Sequence, residues 1–241
     1  LGERVVGVSD YTDYPPEARL LPALGGVDGP HVEAILALQP ELVFLVGEHP
    51  ELRAALRSFG IRTESLRSDR LREVLSSITE IGEICAVPDA AAQLRQRIEQ
   101  QLDALAVTET APRPKVLLLV GRDPGAFRQL YAAGPSSYLG DVMAAVGLEN
   151  ALHTPEPWPL LGVESLVSGE IDAIIELRAE QLDSQGVALL LDEWQQQLPF
   201  VPAVQARRVR ILASPAYTIP GPRLVELAGA LARVRQELVD P

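Results

Sequence analysis

The stretch HVEAILALQPELVFL, residues 31–45, decides the fold class of this chain. Apolar residues at Val32 and Ile35 follow a spacing that predicts a helix with one buried face. Pro40 ends this helix, and the continuous apolar run Leu42–Val46 is typical of a parallel strand buried on both faces. A helix followed at once by such a strand indicates a βαβ unit.

The same alternation of strands and helices continues along both halves of the chain. The predicted strands are Val5–Val8, Leu42–Val46, Ile61–Leu66, Lys115–Val120, Ile171–Glu176 and Val209–Leu212. The predicted helices are His31–Leu38, Leu52–Phe59, Pro88–Leu105, Ser136–Val146, Val163–Val167, Val187–Leu198 and Pro222–Leu238. This order predicts an α/β fold with central sheets of parallel type.

The helix predicted at Pro88–Leu105 separates the two halves. Its apolar residues recur every three or four positions and leave a polar second face: Ala91, Leu94, Ile98, Leu102 and Leu105. At about 1.5 Å per residue it would be roughly 27 Å long, which suits a strut between two lobes. We therefore predict an N-terminal α/β lobe at 1–84, a bridging helix and linker at 85–110, and a C-terminal α/β lobe at 111–241.

Composition excludes several classes of function. The chain has 241 residues and a net charge of −12, whereas nucleic-acid binders and polybasic membrane anchors carry a basic surface. Its longest apolar runs are far shorter than the ~18 residues that would span a bilayer. The single Cys85 forms no intrachain disulfide, and no group of Cys and His residues has the spacing of a zinc site, so we predict no metal site.

No catalytic motif is present, whereas aromatic residues are placed in loops. The chain lacks a dinucleotide-binding glycine motif, a phosphate-binding P-loop and a nucleophile elbow, which favours a binding protein over an enzyme. The aromatic residues that we predict to contact a ligand lie in loops, several beside prolines: Tyr11, Tyr14, Tyr131, Trp158 and Tyr217. The alternative is that these rings only seal the loops against each lobe.

Seven segments, in this order, carry a resemblance to a known family. They are VVGVSDYTDYPPEA (5–18), HVEAILALQPELVFL (31–45), RPKVLLLVG (113–121), YAAGPSSYLGDVMAAVGLEN (131–150), VESLVSGEIDAII (163–175), VPAVQARRVRIL (201–212) and GPRLVELAGALA (221–232). Together they resemble the helical-backbone (class III) substrate-binding proteins of ABC importers, which include cobalamin-, siderophore- and haem-binding members.

The resemblance implies two α/β lobes bridged by a single long helix, with a ligand cleft between the lobes. It implies no catalysis and no cofactor, a small-molecule ligand, an ABC permease dimer as partner, and a monomeric receptor. The location would be periplasmic or extracellular, with or without a lipid anchor. Family members begin with a further strand and helix before the position of Leu1, so we interpret this unit as missing here. A single rigid helix also predicts little relative motion of the lobes.

Within the family the likeness is greatest to the cobalamin-binding members, which implies that Tyr11, Tyr131 and Trp158 line the cleft. The expected ligand is therefore cobalamin or a related corrinoid. Val27 and Val46 stand where those members have further tryptophans, so a ferric siderophore or haem is the alternative.

Siderophore binding would call for cations, for which Arg122, Arg128 and Arg223 are candidates. None of the histidines lies in a motif that matches a haem ligand. A sensor that kept the fold but lost transport, and a hydrolase of α/β fold, are the alternatives from other classes.

The resemblance also implies a pair of permease-docking residues. Glu33 in HVEAIL and Glu164 in GVESLV each lie near the start of a predicted helix, one in each lobe. Family members dock glutamates at these positions into arginine pockets on the two permease subunits, and carboxylate–arginine pairs are strong because both partners are charged. The alternative is that each carboxylate only favours the positive end of its helix.

Overall fold

The chain forms two compact units of mixed helix and strand. The computed structural model describes residues 1–26, 29–108, 110–122, 125–168 and 170–240. The first unit comprises Leu1–Ser68 and the second Asp69–Pro241. Helices and strands alternate in both, which confirms the predicted α/β class.

The first unit is built around one βαβ element. Its secondary structure comprises 3-10 helices at Gly2–Arg4 and Pro16–Leu20, β1 (Gly25–Gly26), β2 (Gly29–Pro30), α1 (Val32–Ala37), β3 (Leu42–Val46), α2 (Pro50–Ser58) and β4 (Arg62–Leu66). Strands β3 and β4 pair in parallel, from Leu42 opposite Arg62 to Val46 opposite Leu66. Helix α2 is the crossover between them, as the sequence predicts.

The strand predicted at Val5–Val8 is wrong. Val8 makes a single parallel bridge with Ala23, while Val5 and Val6 are exposed. A strand needs a hydrogen-bonded partner along its length, and the tendency of valine to be extended does not supply one. Val27, one of the two positions that weaken the likeness to cobalamin-binding members, lies outside the described residues.

The second unit contains the larger sheet. Its elements are α3 (Leu71–Ile84), α4 (Pro88–Asp103), β5 (Lys115–Gly121), β6 (Leu130–Ala132), α5 (Tyr138–Ala145), β7 (Glu149–Asn150), β8 (Leu160–Leu161), α6 (Ser165–Ser168), β9 (Ala173–Arg178), α7 (Ser184–Gln197), α8 (Pro202–Gln205), β10 (Val209–Ala213) and α9 (Leu224–Val239). Along the described chain the sheet order is β10-β9-β5-β6-β8, and β7 pairs with β5.

This sheet is mixed rather than purely parallel. Strands β10, β9, β5 and β7 pair in parallel, whereas β6 and β8 are antiparallel additions at one edge. The sequence pattern missed both of these strands because they are only three and two residues long. Strand β5 carries buried apolar side chains on both of its faces, which explains its continuous apolar run.

Helix α4 forms close to its predicted limits, but it does not stand alone. Helix α3 packs against α4 and α5 within the second unit, and its residues Val74 and Leu75 are buried with Ile98 of α4. Residues 69–84, which the sequence placed in the N-terminal lobe, therefore pack with the second unit. The bridging role of α4 stays a prediction. In the described part of the chain, no helix combines the length and apolar character needed to cross a membrane.

The close approach of α3 and α4 depends on a small residue at Gly82. A Cβ atom added at Gly82 would overlap the methyl group of Ala91. We predict that Gly82→Ala lowers the free energy of unfolding by about 1–3 kcal/mol through overpacking, although alanine is the better helix former. Urea unfolding monitored by circular dichroism measures this loss.

The matched control for Gly82→Ala restores the space from the other side. The double variant Gly82→Ala with Ala91→Gly should be more stable than Gly82→Ala alone, even though glycine costs about 1 kcal/mol inside a helix. A Gly82→Ala protein as stable as the wild type would show that the two helices separate without cost.

Candidate functional site

Three exposed apolar side chains form a surface at one edge of the large sheet. Tyr131 of β6 lies directly opposite Leu160 of β8, and residues paired in this way point to the same face. The ladder continues past β8, because the Ala132 amide donates to the Pro159 carbonyl (3.0 Å). Trp158 comes two residues before Leu160, at the bend that leads into β8. We call Tyr131, Trp158 and Leu160 the aromatic face.

The members of the aromatic face are exposed to a degree unusual for such side chains. Their exposed fractions are 49% for Tyr131, 40% for Trp158 and 51% for Leu160. Exposed apolar surface that is contiguous marks binding sites more often than single exposed residues do. The sequence singled out Tyr131 and Trp158 but missed Leu160, because the pairing of β6 with β8 was not visible in it.

Trp158 is held from behind by Tyr138 of α5. The two rings meet edge to face, with centroids 5.7 Å apart. The turn before α5 is tightly packed: Ser137 caps the helix by accepting from the Gly140 amide (3.0 Å) and donates to the Gly134 carbonyl (2.7 Å). A Cβ at Gly134 would overlap the carbonyl oxygen of Glu156, so the segment bearing Trp158 sits directly on this turn. The contact with Tyr138 and the close packing of the neighbouring segment therefore restrict the position of the Trp158 ring.

Tyr138 also contacts the loop that carries Tyr217. The buried Tyr138 hydroxyl donates to the Thr218 carbonyl at 2.9 Å. Tyr217 itself is half-buried and packs against the apolar cluster that contains Tyr138, so it offers less surface than the sequence suggested. Ile219, two residues further on, is exposed. Tyr138 was not among the predicted site residues, because its helical position resembles that of any core residue.

In the first unit, Tyr11 and Tyr14 are exposed, and their role as ligand contacts stays a prediction. The Tyr11 ring lies over Gly26, where an added Cβ would come within 2.8 Å of the ring. Asp10 fixes the loop, because its carboxylate accepts from the Gly25 amide (2.9 Å) and its own amide donates to the Gly25 carbonyl (3.1 Å). The loop therefore holds Tyr11 against the short β1–β2 hairpin.

The three arginines considered for an anionic ligand differ in availability. Arg122 has a fully buried side chain paired with the carboxylates of Glu176 and Glu193, each at 3.0 Å, so the expectation that it meets a ligand is wrong. Burial of its charge requires those partners. Arg128 is exposed, and Arg223 is half-buried at the start of α9.

The two predicted docking glutamates are both exposed. Glu33 lies in the first turn of α1, and Glu164 immediately precedes α6. Both positions are near the start of a helix, as the sequence indicated.

A cavity of about 410 Å³ lies elsewhere in the second unit. It is lined by residues of α7, α8 and β10, among them Leu191, Trp194 and Ile211. Strands β10 and β8 are the two opposite edge strands of the sheet, so this cavity is separate from the aromatic face. Among the described residues, no group of three or more His, Cys, Asp or Glu side chains is arranged to hold a metal ion.

Comparison with known sequences identifies relatives over most of the chain. A profile of the family described as periplasmic binding protein matches residues 1–216. A vitamin B12-binding protein of Pectobacterium carotovorum is 26% identical over 181 residues, which cover 73% of this chain and 64% of the relative. The chain therefore spans less than two thirds of the length of that relative.

Solved structures with the same fold bind different ligands. The periplasmic vitamin B12 binding protein of Vibrio cholerae has a TM-score of 0.81 at 21% identity, and the match covers 100% of this chain and 91% of the Vibrio protein. A periplasmic haem-binding protein from a Roseiflexus species has a TM-score of 0.81 at 25% identity, and the match covers 99% of this chain and 92% of the Roseiflexus protein. The likeness to the first, at this identity, concerns the fold alone.

The support that Tyr138 gives to the site can be tested through pH. Replacing it by phenylalanine removes the hydrogen bond to Thr218, which should lower the free energy of unfolding by about 0.5–1.5 kcal/mol at about pH 8. Burial raises the pKa of Tyr138 above its ordinary value of 10.0. Above pH 10.0 the unfolded wild type releases this proton while the folded protein retains it, so the wild type loses stability as pH rises.

Tyr138→Phe lacks this loss, so its stability deficit should shrink at up to about 1.4 kcal/mol per pH unit above the ordinary tyrosine pKa. Urea unfolding of both proteins across that range gives the difference directly, because all other groups titrate alike in the two. A deficit that stays constant with pH would contradict the burial of an un-ionised phenol.

Proposed function

This chain belongs to the periplasmic binding protein family, and on that premise we propose that it is an extracytoplasmic solute-binding protein of an ABC importer. It captures a small molecule and delivers it to a permease in the membrane. Its place of action is the periplasm or the cell exterior. The match of the family profile over residues 1–216 supports this proposal. The sequence also lacks the dinucleotide-binding, P-loop and nucleophile-elbow motifs of enzymes.

The proposed ligand is cobalamin or a related corrinoid, and the aromatic face is the observation that carries this proposal. A corrinoid presents a broad ring with apolar edges, and exposed aromatic rings provide flat surfaces for such a ligand. Tyr131, Trp158 and Leu160 offer that surface on the second unit. Relatives named vitamin B12-binding proteins support the same ligand class. Tyr11 and Tyr14 are the proposed contacts from the first unit.

Haem is the second candidate. Haem-binding proteins share the fold, and the exposed hydroxyl-bearing rings of Tyr11 and Tyr131 are of a type that can ligate haem iron. The negative net charge of the chain disfavours haem, and it also disfavours ferric siderophores. The chain carries a net charge of −12, and the buried pairing of Arg122 removes one of the cations that an anionic ligand would need. A corrinoid makes less demand on cationic side chains.

We propose that Glu33 and Glu164 dock onto the permease. Both glutamates are exposed. Exposed carboxylates can form charge-assisted, bidentate pairs with arginine on a partner surface. The two glutamates lie in different units, so each could address one subunit of a permease dimer.

The ligand proposal is tested by titration calorimetry with cyanocobalamin and, in parallel, with haemin. We expect cyanocobalamin to bind the wild type, and Trp158→Ala to weaken it about tenfold or more through lost ring contact. Gly121→Val gives a second variant, because Gly121 lies opposite Tyr131 and a Cβ atom added there would meet no protein atom within 4 Å. The added side chain should occupy space beside the Tyr131 ring and weaken binding of cyanocobalamin.

The matched control is Phe200→Ala, which removes an exposed aromatic ring outside the aromatic face. It should bind cyanocobalamin as the wild type does. Binding of haemin with no heat from cyanocobalamin would replace the corrinoid proposal by the haem candidate. Equal affinity of all four proteins for cyanocobalamin would remove the aromatic face from the site.

Charge reversal tests the docking pair. Glu33→Arg combined with Glu164→Arg should keep ligand affinity but abolish stimulation of the permease ATPase in proteoliposomes, and milder single variants should show salt-sensitive losses. The control is Glu51→Arg with Glu226→Arg, which reverses exposed glutamates in the first turns of α2 and α9. If the two double variants stimulate the permease ATPase to the same extent, the docking role of Glu33 and Glu164 is contradicted.

A further inference from the structure

A group of buried charges in the second unit lies at the end of β5. The side chains of Arg122 and Glu176 have no exposed surface, and Arg122 Nε donates to Glu176 Oε2 at 3.0 Å. The same carboxylate oxygen accepts from Trp194 Nε1 at 2.7 Å. Arg122 also donates to Glu193 Oε2 at 3.0 Å. The guanidinium carbon lies 4.3 Å above the centre of the Phe127 ring. We call these five residues the buried charge cluster.

Stability alone does not account for this cluster. Removing charged groups from water has a large cost, and replacing a buried ion pair by well-packed neutral residues is often neutral or stabilising. A cluster of this kind instead restricts geometry, because each donor and acceptor must meet its partner in one arrangement.

The restricted positions are Gly125 and Phe127, which lie between β5 and β6. Glu193 accepts from the Gly125 amide at 3.2 Å, and Phe127 packs edge to face on Trp194 with centroids 4.7 Å apart. Both anchors lie within the connection, and both are attached to α7. Arg122 itself directly follows Gly121, whose partner across the antiparallel pair is Tyr131. The cluster thus holds both ends of the hairpin at the point where Tyr131 emerges.

We infer that Arg122, held by Glu176 and Glu193, is a positioning residue for the ligand contact at Tyr131. The inference rests on the proposed function, since it assigns the cluster to the aromatic face. Arg122 does not touch the ligand. Its guanidinium fixes the β5–β6 hairpin against α7, so that the Tyr131 ring is already in place before the ligand arrives. Preorganisation of this kind raises affinity by reducing the ordering that binding requires.

The test removes the charges of Arg122, Glu176 and Glu193 and keeps hydrogen-bond acceptors for Trp194 and Gly125, while Arg178, which contacts Glu176 at 3.4 Å, retains its ion pair with Glu180. In Arg122→Met with Glu176→Gln and Glu193→Gln, the glutamine side chains can still accept from Trp194 Nε1 and the Gly125 amide. We expect a melting temperature close to that of the wild type, but affinity for cyanocobalamin reduced at least about fivefold. Hydrogen exchange of amides 125–132 in the free protein should accelerate, while exchange in β9 and β10 should not change.

A milder variant covers the case in which the triple variant does not fold. Glu193→Gln changes a carboxylate that is 30% exposed and should give the same pattern at smaller size: faster exchange in 125–132 and weaker binding. Its matched control is Glu99→Gln, since the half-exposed Glu99 pairs with Arg95 within α4 and belongs to a different part of the second unit. Unchanged exchange in 125–132 in Glu193→Gln, or wild-type affinity in a folded triple variant, would overturn the inference.

Failure of the proposed function would look different. If the wild type binds neither cyanocobalamin nor haemin, the ligand proposal falls. The exchange measurement on the free protein still shows whether the cluster positions residues 125–132. If the wild type binds and the folded triple variant binds equally well, the positioning role falls and the proposed function stands.

Discussion

Burial of β5 on both faces is the constraint on which the second unit depends. Val116 and Leu118 pack into the cluster formed with α3, α4, α5 and α9, whereas Leu117 and Leu119 pack into the cluster formed with α7. A strand with no polar face can only lie in the middle of a sheet that is covered on both sides. The order β10-β9-β5-β6-β8, with helices on either face, satisfies this condition.

The same constraint explains the chemistry at the end of β5. The strand ends at Gly121 while the chain is still inside the protein, and the next side chain, Arg122, is charged. A charge buried there must be paired, and the partners come from β9 and α7, the elements already packed around β5. The hairpin that leaves this point therefore has little freedom. Its position determines where Tyr131 meets solvent.

Several arginines join different elements of this acidic protein. The Arg70 guanidinium binds Asp141 of α5, with Nε 2.9 Å from Oδ2, and thus ties the start of α3 to the helix that carries Tyr138. Arg210 of β10 pairs with Glu237 of α9 at 3.0 Å. Guanidinium groups committed in this way do not serve a ligand. The exposed surface at the sheet edge is aromatic and aliphatic, and it suits a ligand recognised by its ring surface more than by its charge.

The sequence by itself determined the class of the fold and the position of its long elements. The parallel pair β3–β4, the strands β5, β9 and β10, and the helices α4, α7 and α9 all appear in its periodicity, because side-chain spacing along one segment reports which of its faces is buried. It also pointed to Tyr11, Tyr131 and Trp158, since these aromatic residues lie outside the helices and strands that the periodicity predicts, although Tyr131 proves to belong to the short strand β6.

Tertiary structure decided what those residues meet. Leu160 joins the aromatic face only through the register of β8 with β6, and Tyr138 supports Trp158 only because α5 packs behind it. The sequence made Arg122 a candidate for binding an anionic ligand, but in the structure its side chain is buried and paired with Glu176, which is 54 positions away along the chain. Register and the pairing of buried charges are properties of residues distant in sequence, so no local pattern encodes them.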